Sequence, residues 1–445
     1  MIMVNNVENI LTIRNKGKYL FNCVISILVF GYVFIANRYY LTIPGIAFAI
    51  IALLFFCVIP MKQVFFITGI CFMLETWIPF SYIVLVGAVA CIIKRGITKK
   101  NQSSMVLICL FVCLQVFSTV FEGLDIFILL KVGICLIAEV FFFSSIRSEE
   151  EATSFSMGIA IGFVVLAIST LIIALRSVSL SQIIVNFRLG STTLERWLPD
   201  GAIIPNENNM ARYAVFAITV SLLLKNKCKI GKLAFLIYNI FAIIIVLLTQ
   251  SRSGLFLLGL SYIFFYLGSN KKRKVIDKIK VVGSIVVVLT ILYFLISRFM
   301  PEIIKVIETR FHDEDLTNGR LDNFVFYHEQ WVSNIRWILV GFGDQRVNLR
   351  FAHYHNVHSA IQAYFVHYGI LGAVVFFGFF GSFIHGFAQK IEKSRVWIAW
   401  LPLIIVGIGK LFGAMNTTEL LVSATVSMMY VKQSSRVIGN TVKDN

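Results

Sequence analysis

Apolar residues along this chain rarely alternate with polar ones. They run on continuously, in stretches that approach the roughly 20 residues needed to cross a bilayer core. Four short spans fit between residues 19 and 93, with Pro60 and Pro79 near two of the breaks. Further spans are predicted over 105–121, 126–144, 155–175, 210–224, 233–250, 252–268, 281–299, 361–387, 396–412 and 416–431. That makes about fourteen, or about twelve if short ones merge or are re-entrant. A closed β-barrel is excluded, because its strands would alternate apolar and polar positions.

One stretch follows a different rhythm. "TNGRLDNFVFYHEQWVSNI" carries apolar or aromatic residues at Leu321, Phe324, Val325, His328, Trp331 and Val332. That spacing predicts an amphipathic helix, capped near Thr317 or Asn318 and resting on the membrane surface or on top of the helical bundle.

Composition turns a set of apolar runs into a class. Of 445 residues, 58% are hydrophobic and 14% charged, with 41 Phe and a mean hydropathy of +0.84. A soluble chain of this length could not hide so much apolar surface, so the fold class expected is all-α, a polytopic helical membrane protein. Seven cysteines lie in apolar runs and Cys228 in a Lys-rich loop, which is neither a disulfide framework nor a zinc spacing. The first apolar run, from Tyr19, lacks a small-residue cleavage site, so no cleavable signal peptide is expected.

The net charge of +17 would suit nucleic acid in a soluble protein, but here it marks cytoplasmic loops and no nucleic-acid partner is expected. The basic stretches 14–18, 94–100, 225–232, 270–280, 389–395 and the tail after Val431 place both termini inside. Four regions follow: spans and a first outer loop over 1–200, spans with an outer Arg motif over 201–299, a large outer loop over 300–360, and C-terminal spans over 361–445.

This assignment sorts the basic residues by type. The inner loops are mostly lysine, whereas the outer side carries Arg38, Arg176, Arg188, Arg196, Arg212, Arg252, Arg298, Arg310, Arg320, Arg336, Arg346 and Arg350, with Lys305 the single lysine. Arginine's planar fork grips phosphate or carboxylate through paired hydrogen bonds, which points to an anionic partner. The alternative for any one of them is snorkelling to lipid headgroups. Arg252 stands apart, because "LLTQSRSGLF" pins it in a very short turn between two apolar spans, where a charge needs an aqueous cavity or a partner. Arg320 and Arg212, the latter at a predicted span entrance, rank next as anion contacts.

"HSAIQAYFVHYGILG" (358–372) places His358 where the chain returns to the membrane. On a helix His358 would stand roughly 16 Å above Gly369, with Gln362 one turn below on its face and His367 on the opposite one. Gly369 and Gly372 would let a neighbouring helix approach closely. His367 reads as a packing or hydrogen-bonding residue. A neutral imidazole at an aqueous mouth can serve as a general base; it can equally be a polar anchor. His353 and His355 lie just upstream, but the three histidines match no zinc signature and no outer acid stands out as their companion, so no metal or other cofactor is expected.

His358-Ser359, nine residues, Gly369, two residues and Gly372 resemble the signature of the O-antigen ligase/polymerase family of bacterial surface-polysaccharide enzymes. His355-Asn356 fails the same pattern, because Val366 stands where it needs the first glycine. "NGRLDNFVFYHEQW" (318–331), "LVGFG" (339–343) and "TQSRSGLFLL" (249–258) are similar to the family's Gly-Arg helix, Gly-rich turn and short Arg motif, with Phe256 where the family often has Leu. The resemblance spans about 200–390 and implies a GT-C-type glycosyltransferase at the bacterial inner membrane, acting outside it on glycans linked to undecaprenyl pyrophosphate. His358, Arg252 and Arg320 are then the expected catalytic residues. Arg212, Arg336, Gln362 and His355 are the expected substrate contacts, and Gly369 and Gly372 the structural motif. Expected partners are the bilayer, the lipid-linked glycan, and a chain-length regulator and flippase of the same pathway. Polymerisation of repeat units is favoured, ligation to lipid A core is the alternative, and a lipid-linked oligosaccharide flippase is the rival class.

Overall fold

The computed structural model describes residues 21–32, 45–97, 102–121, 126–185, 188–198, 202–228, 230–269, 320–343, 357, 359–388, 391, 396–411 and 417–430, with isolated positions 283, 290, 294 and 298. Among these residues the protein is helical and no β-strand occurs. It is an all-α membrane protein.

The short spans expected before residue 93 are α1 (Phe21–Tyr32), α2 (Gly45–Val58), α3 (Met61–Met73) and α4 (Phe80–Arg95). Pro60 and Pro79 occupy the N-cap positions of α3 and α4, where a missing N–H breaks no helical bond. Then come α5 (Gln102–Phe121), α6 (Ile126–Ser144), α7 (Glu149–Leu175), the short α8 (Leu180–Val185) and α9 (Ser191–Leu194), α10 (Glu207–Lys227), α11 (Lys232–Thr249) and α12 (Arg252–Ser269). After the span expected over 281–299, which lies outside the described residues apart from single positions, follow α13 (Arg320–Val332), α14 (Ile335–Val340), α15 (Ala360–Ala388), α16 (Val396–Leu411) and α17 (Thr417–Ser427).

Only α7, α11 and α15 among the described helices are by themselves long and apolar enough to cross a membrane. The brevity of α3 has a consequence. Its 13 residues rise about 20 Å, less than the roughly 30 Å hydrocarbon core.

The bundle has two chemically distinct ends. At the lysine end, Lys94 donates to the Ile59 carbonyl, Lys62 pairs with Glu150, Arg95 pairs with Glu151 and donates to Ser145 O at 2.9 Å, and Lys227 meets Glu149 at 2.6 Å. Ser148 caps α7 there, accepting the Glu151 N–H at 3.2 Å, and three glutamates in the first turn suit the positive end of the helix dipole. At the opposite end the starts of α10 and α12 meet, and Arg188, Arg212 and Arg252 lie beside them. The α3–α4 turn stops short of that end: Glu75 accepts the Tyr213 hydroxyl about 9 Å along α10 from its start.

The closest helix pair, α3 against α7, is built on glycine. A Cβ added to Gly69, Gly158 or Gly162 would collide with the facing backbone at Phe155, Phe66 and Ile70 respectively. Gly158 and Gly162 form a G-x-x-x-G pair, the small-residue device for membrane helices whose backbones touch. We therefore expect Gly158→Val to force the pair apart, at a destabilisation of about 1–3 kcal/mol from overpacking. The purified variant should unfold at a lower temperature than wild type. Gly259→Ala, where nothing lies within 4 Å, should not.

A second, small core sits apart from the main one. Tyr327, Trp337, Phe342, Val357, Ala363 and Val366 pack together, with Phe326 and Trp331 against them. It joins α13 and α14 to the first arm of α15. The amphipathic helix exists, but of the expected stripe only Trp331 packs against this core. Tyr327 is the fully buried residue, while Leu321, Phe324, Val325 and Val332 are exposed. The helix docks on the protein through Phe326 and Tyr327, which the apolar stripe omits, together with Trp331.

Candidate active site

The first part of the site is assembled by a turn and two helix starts. Asn206 caps α10 by accepting the Asn208 N–H at 2.9 Å. Gln250 takes a left-handed conformation (φ 49°) to end α11, and Ser251 then starts α12, its Oγ accepting the Gly254 N–H at 3.3 Å. The two starts are stitched together: Ser251 Oγ donates to Asn208 Oδ1 at 2.9 Å, and Gly254 backs onto Ala211 so closely that a Cβ there would clash. Arg252 therefore issues from the first turn of α12 and Arg212 from the second turn of α10, close to two adjoining helix starts whose dipoles favour an anion. Both side chains are half-buried. Arg212 donates from Nη2 to Asn209, while its Nε is buried with no hydrogen-bond partner among the described residues.

The second part is the returning chain. Ser359 receives the Ala363 N–H on its carbonyl at 2.8 Å and faces the Gln362 N–H with Oγ at 3.5 Å, so it acts as the N-cap of α15. That gives the Ser of the His-Ser pair a physical task, which is to start the helix directly after His358. His358 itself, with His353 and His355, lies outside the described residues. Gln362 is buried; its Nε2 donates to Phe324 O at 2.6 Å, and its Oε1 is buried with no hydrogen-bond partner among the described residues. It thus ties α15 to α13, the helix that Arg320 opens. Arg336 is exposed on α14.

The expectation of one straight helix through both glycines needs correction. Gly369 has φ 64°, a left-handed value, and breaks α15 into arms of residues 360–368 and 370–388. The close approach it permits is to the last residues of the short helix α14 and the turn that follows them. The "LVGFG" turn, with Gly341 at φ 73° and Gly343 at φ 83°, lies against the break. Phe342 N donates to Val366 O at 3.1 Å and Gly343 N to His367 O at 3.0 Å, while a Cβ on Gly369 would strike Leu339. His367 is half-buried with Nδ1 2.6 Å from Gly343 O, as its hydrogen-bonding role predicted. Gly372 is required locally, since a Cβ there would meet that of Tyr368. The two glycine elements read separately in the sequence are one structural joint.

Sequence reasoning missed a set of carboxylates beneath the arginines. Besides the Glu75–Tyr213 contact, Glu139 accepts from Thr418 Oγ1 at 2.9 Å inside the bundle. Glu419 shares a cavity with Arg212, Tyr213, Phe72, Phe216 and Leu257. The signal was available: Glu139 interrupts an apolar run, and the desolvation argument applied to Arg252 applies to it equally. Among the described residues no group of three or more His, Cys, Asp or Glu is arranged to hold a metal ion.

Residues 237–386 match the family model described as O-antigen ligase (Wzy_C). The chain carries an O-antigen ligase/polymerase family domain. This bears out the resemblance read from the His-Ser, Gly-Arg and Gly-rich motifs. The matched stretch covers α11 to α15 and holds Arg252, Arg320, Arg336, Gln362, Gly369 and Gly372, whereas Arg212 precedes it. No curated protein matches the chain. The match supports an O-antigen ligase/polymerase-type function for this membrane protein, within a family of membrane glycosyltransferase-like enzymes.

Proposed function

We propose that this protein is a GT-C-type glycosyltransferase that polymerises oligosaccharide repeat units carried on undecaprenyl pyrophosphate. The observation that carries the reading is the pairing of Arg212 and Arg252 on adjoining helix starts inside an apolar bundle. Glycosyl transfer from a lipid pyrophosphate needs its growing negative charge stabilised and a proton removed from the acceptor hydroxyl. Fixed guanidinium groups and helix N-termini supply the first without a metal, because charge preorganised in a low-dielectric site acts with little rearrangement. Arg320, at the first position of α13, is the third contact proposed on the sugar-phosphate side. His358 is the proposed base, and attack opposite the pyrophosphate inverts the anomeric centre.

In this reading the arginine end faces outward from a bacterial inner membrane, and the lysine end and both termini are cytoplasmic. Arg336 and His355 contact the acceptor glycan, and the buried Oε1 of Gln362 accepts from it. A chain-length regulator and a flippase are the proposed pathway partners. The description of the matched family favours a second reading, ligation of the finished glycan to lipid A core.

Both readings separate in one experiment. Reconstituted protein given undecaprenyl-pyrophosphate-linked repeats alone, in excess EDTA, should yield a ladder of longer glycans and ignore nucleotide sugars. Product formed only when lipid A core is added would make it a ligase. Loss of activity in EDTA, restored by Mg²⁺ or Mn²⁺, would revive a metal role for His353, His355 and His358 and reduce Arg252 and Arg320 to positioning contacts.

A further inference from the structure

Arg188 was grouped with the other outward arginines as an anion contact, yet its surroundings describe a different task. Its Nε donates to Thr249 O at 2.9 Å and its Nη1 to Glu207 Oε1 at 3.0 Å, while Nη2 reaches Asn208 Oδ1 at 3.5 Å. Thr249 ends α11, three residues before Arg252. Glu207 and Asn208 form the first turn of α10, which carries Arg212. One guanidinium thus bridges the turn before Arg252 and the start of the helix that carries Arg212 one turn further on. Glu207 is buried and Arg188 largely so, with side chains 3% and 13% exposed.

The strand of chain around Arg188 is fastened to the same two turns. Leu189 N donates to Leu248 O at 2.9 Å, Ser191 N to Pro205 O at 3.0 Å, and Gln250 Nε2 to Ile184 O at 2.9 Å. Gly190 lies against the backbone of Glu207 with no room for a Cβ. Ile184 and residues 188–191 thus act as a strap fastened to the two helix starts.

We propose that Arg188, anchored by Glu207, is a positioning residue that sets the spacing and direction of Arg212 and Arg252, and does not itself hold the pyrophosphate. A planar fork with donors in fixed directions can satisfy a carbonyl, a carboxylate and an amide at once, which a lysine cannot. The inference rests on the proposed role of the arginine pair as a pyrophosphate site.

Inorganic pyrophosphate is the probe, measured by calorimetry on the full-length protein in detergent, beside the transfer rate on lipid-linked repeats. Arg188→Lys should weaken pyrophosphate binding about tenfold and lower kcat in step, with the unfolding temperature tracked in parallel. Combined with Arg252→Lys it should add less than about threefold, because the fork to be aimed is already gone. Glu207→Gln gives the decisive sign. If Arg188 positions the pair, loosening its anchor weakens pyrophosphate binding. If Arg188 were itself a ligand, releasing it from Glu207 would leave binding equal or tighter, and that result overturns the proposal, as would multiplying losses in the double variant. Wild-type protein that binds no pyrophosphate would sink the arginine site itself, whereas wild-type binding with unaffected variants sinks the strap alone.

Discussion

His358→Ala protein should accumulate in the membrane at the wild-type level and transfer glycan about 10²–10⁴-fold more slowly, the range typical for loss of a positioned general base. The helix that follows is held by groups other than residue 358. Ser359 caps α15, Gln362 ties it to α13, and the Gly369 joint locks its lower end, so all three anchors survive the substitution. His355→Ala should lose less, since His355 is proposed as an acceptor contact and not as the proton acceptor. The measurement is polymer length and rate from membranes with matched protein levels. A dead His355 variant beside an active His358 variant would show that the motif begins at the wrong histidine.

The second large effect belongs to Arg252. Arg252→Lys keeps the charge and removes the fork, and we expect transfer to fall about 10²–10³-fold, the scale seen when one preorganised donor at a developing anion is lost. Expression should hold, because the turn around it is fixed by other groups: Ser251 on Asn208, Gln250 on Ile184, and Gly254 on Ala211. Exposed Arg196 should tolerate the same swap with a small loss, and so should Arg346. Equal activity across all these lysine variants would mean that the arginines serve lipid headgroups and not a substrate.

Much of the bundle was legible residue by residue. The breaks at Pro60 and Pro79, the 126–144 span and the short turn before Arg252 all lie where apolar runs and helix-stopping residues put them. The candidate site was legible only in parts. Arg212 and Arg252 are 40 residues apart along the chain, and nothing in their spacing says that Gly254 abuts Ala211. The role of Arg188 was hidden for the same reason: a charge at the edge of an apolar run reads alike whether it faces a ligand or three protein acceptors.

Hydrophobic length, loop charge and the His-Ser to Gly-x-x-Gly spacing by themselves determined that this is an all-α membrane protein with an O-antigen ligase/polymerase signature. These are local quantities: a run of apolar residues must bury its backbone as helix in lipid wherever it sits, and a left-handed backbone position asks for glycine whatever surrounds it. Tertiary structure alone decided which face of α13 docks, that Gly369 breaks α15 against the end of α14 and its "LVGFG" turn, and which arginine is bound to protein. Each of those depends on backbone groups far apart in sequence finding one another, and hydrogen bonds of that kind leave no periodic trace along the chain.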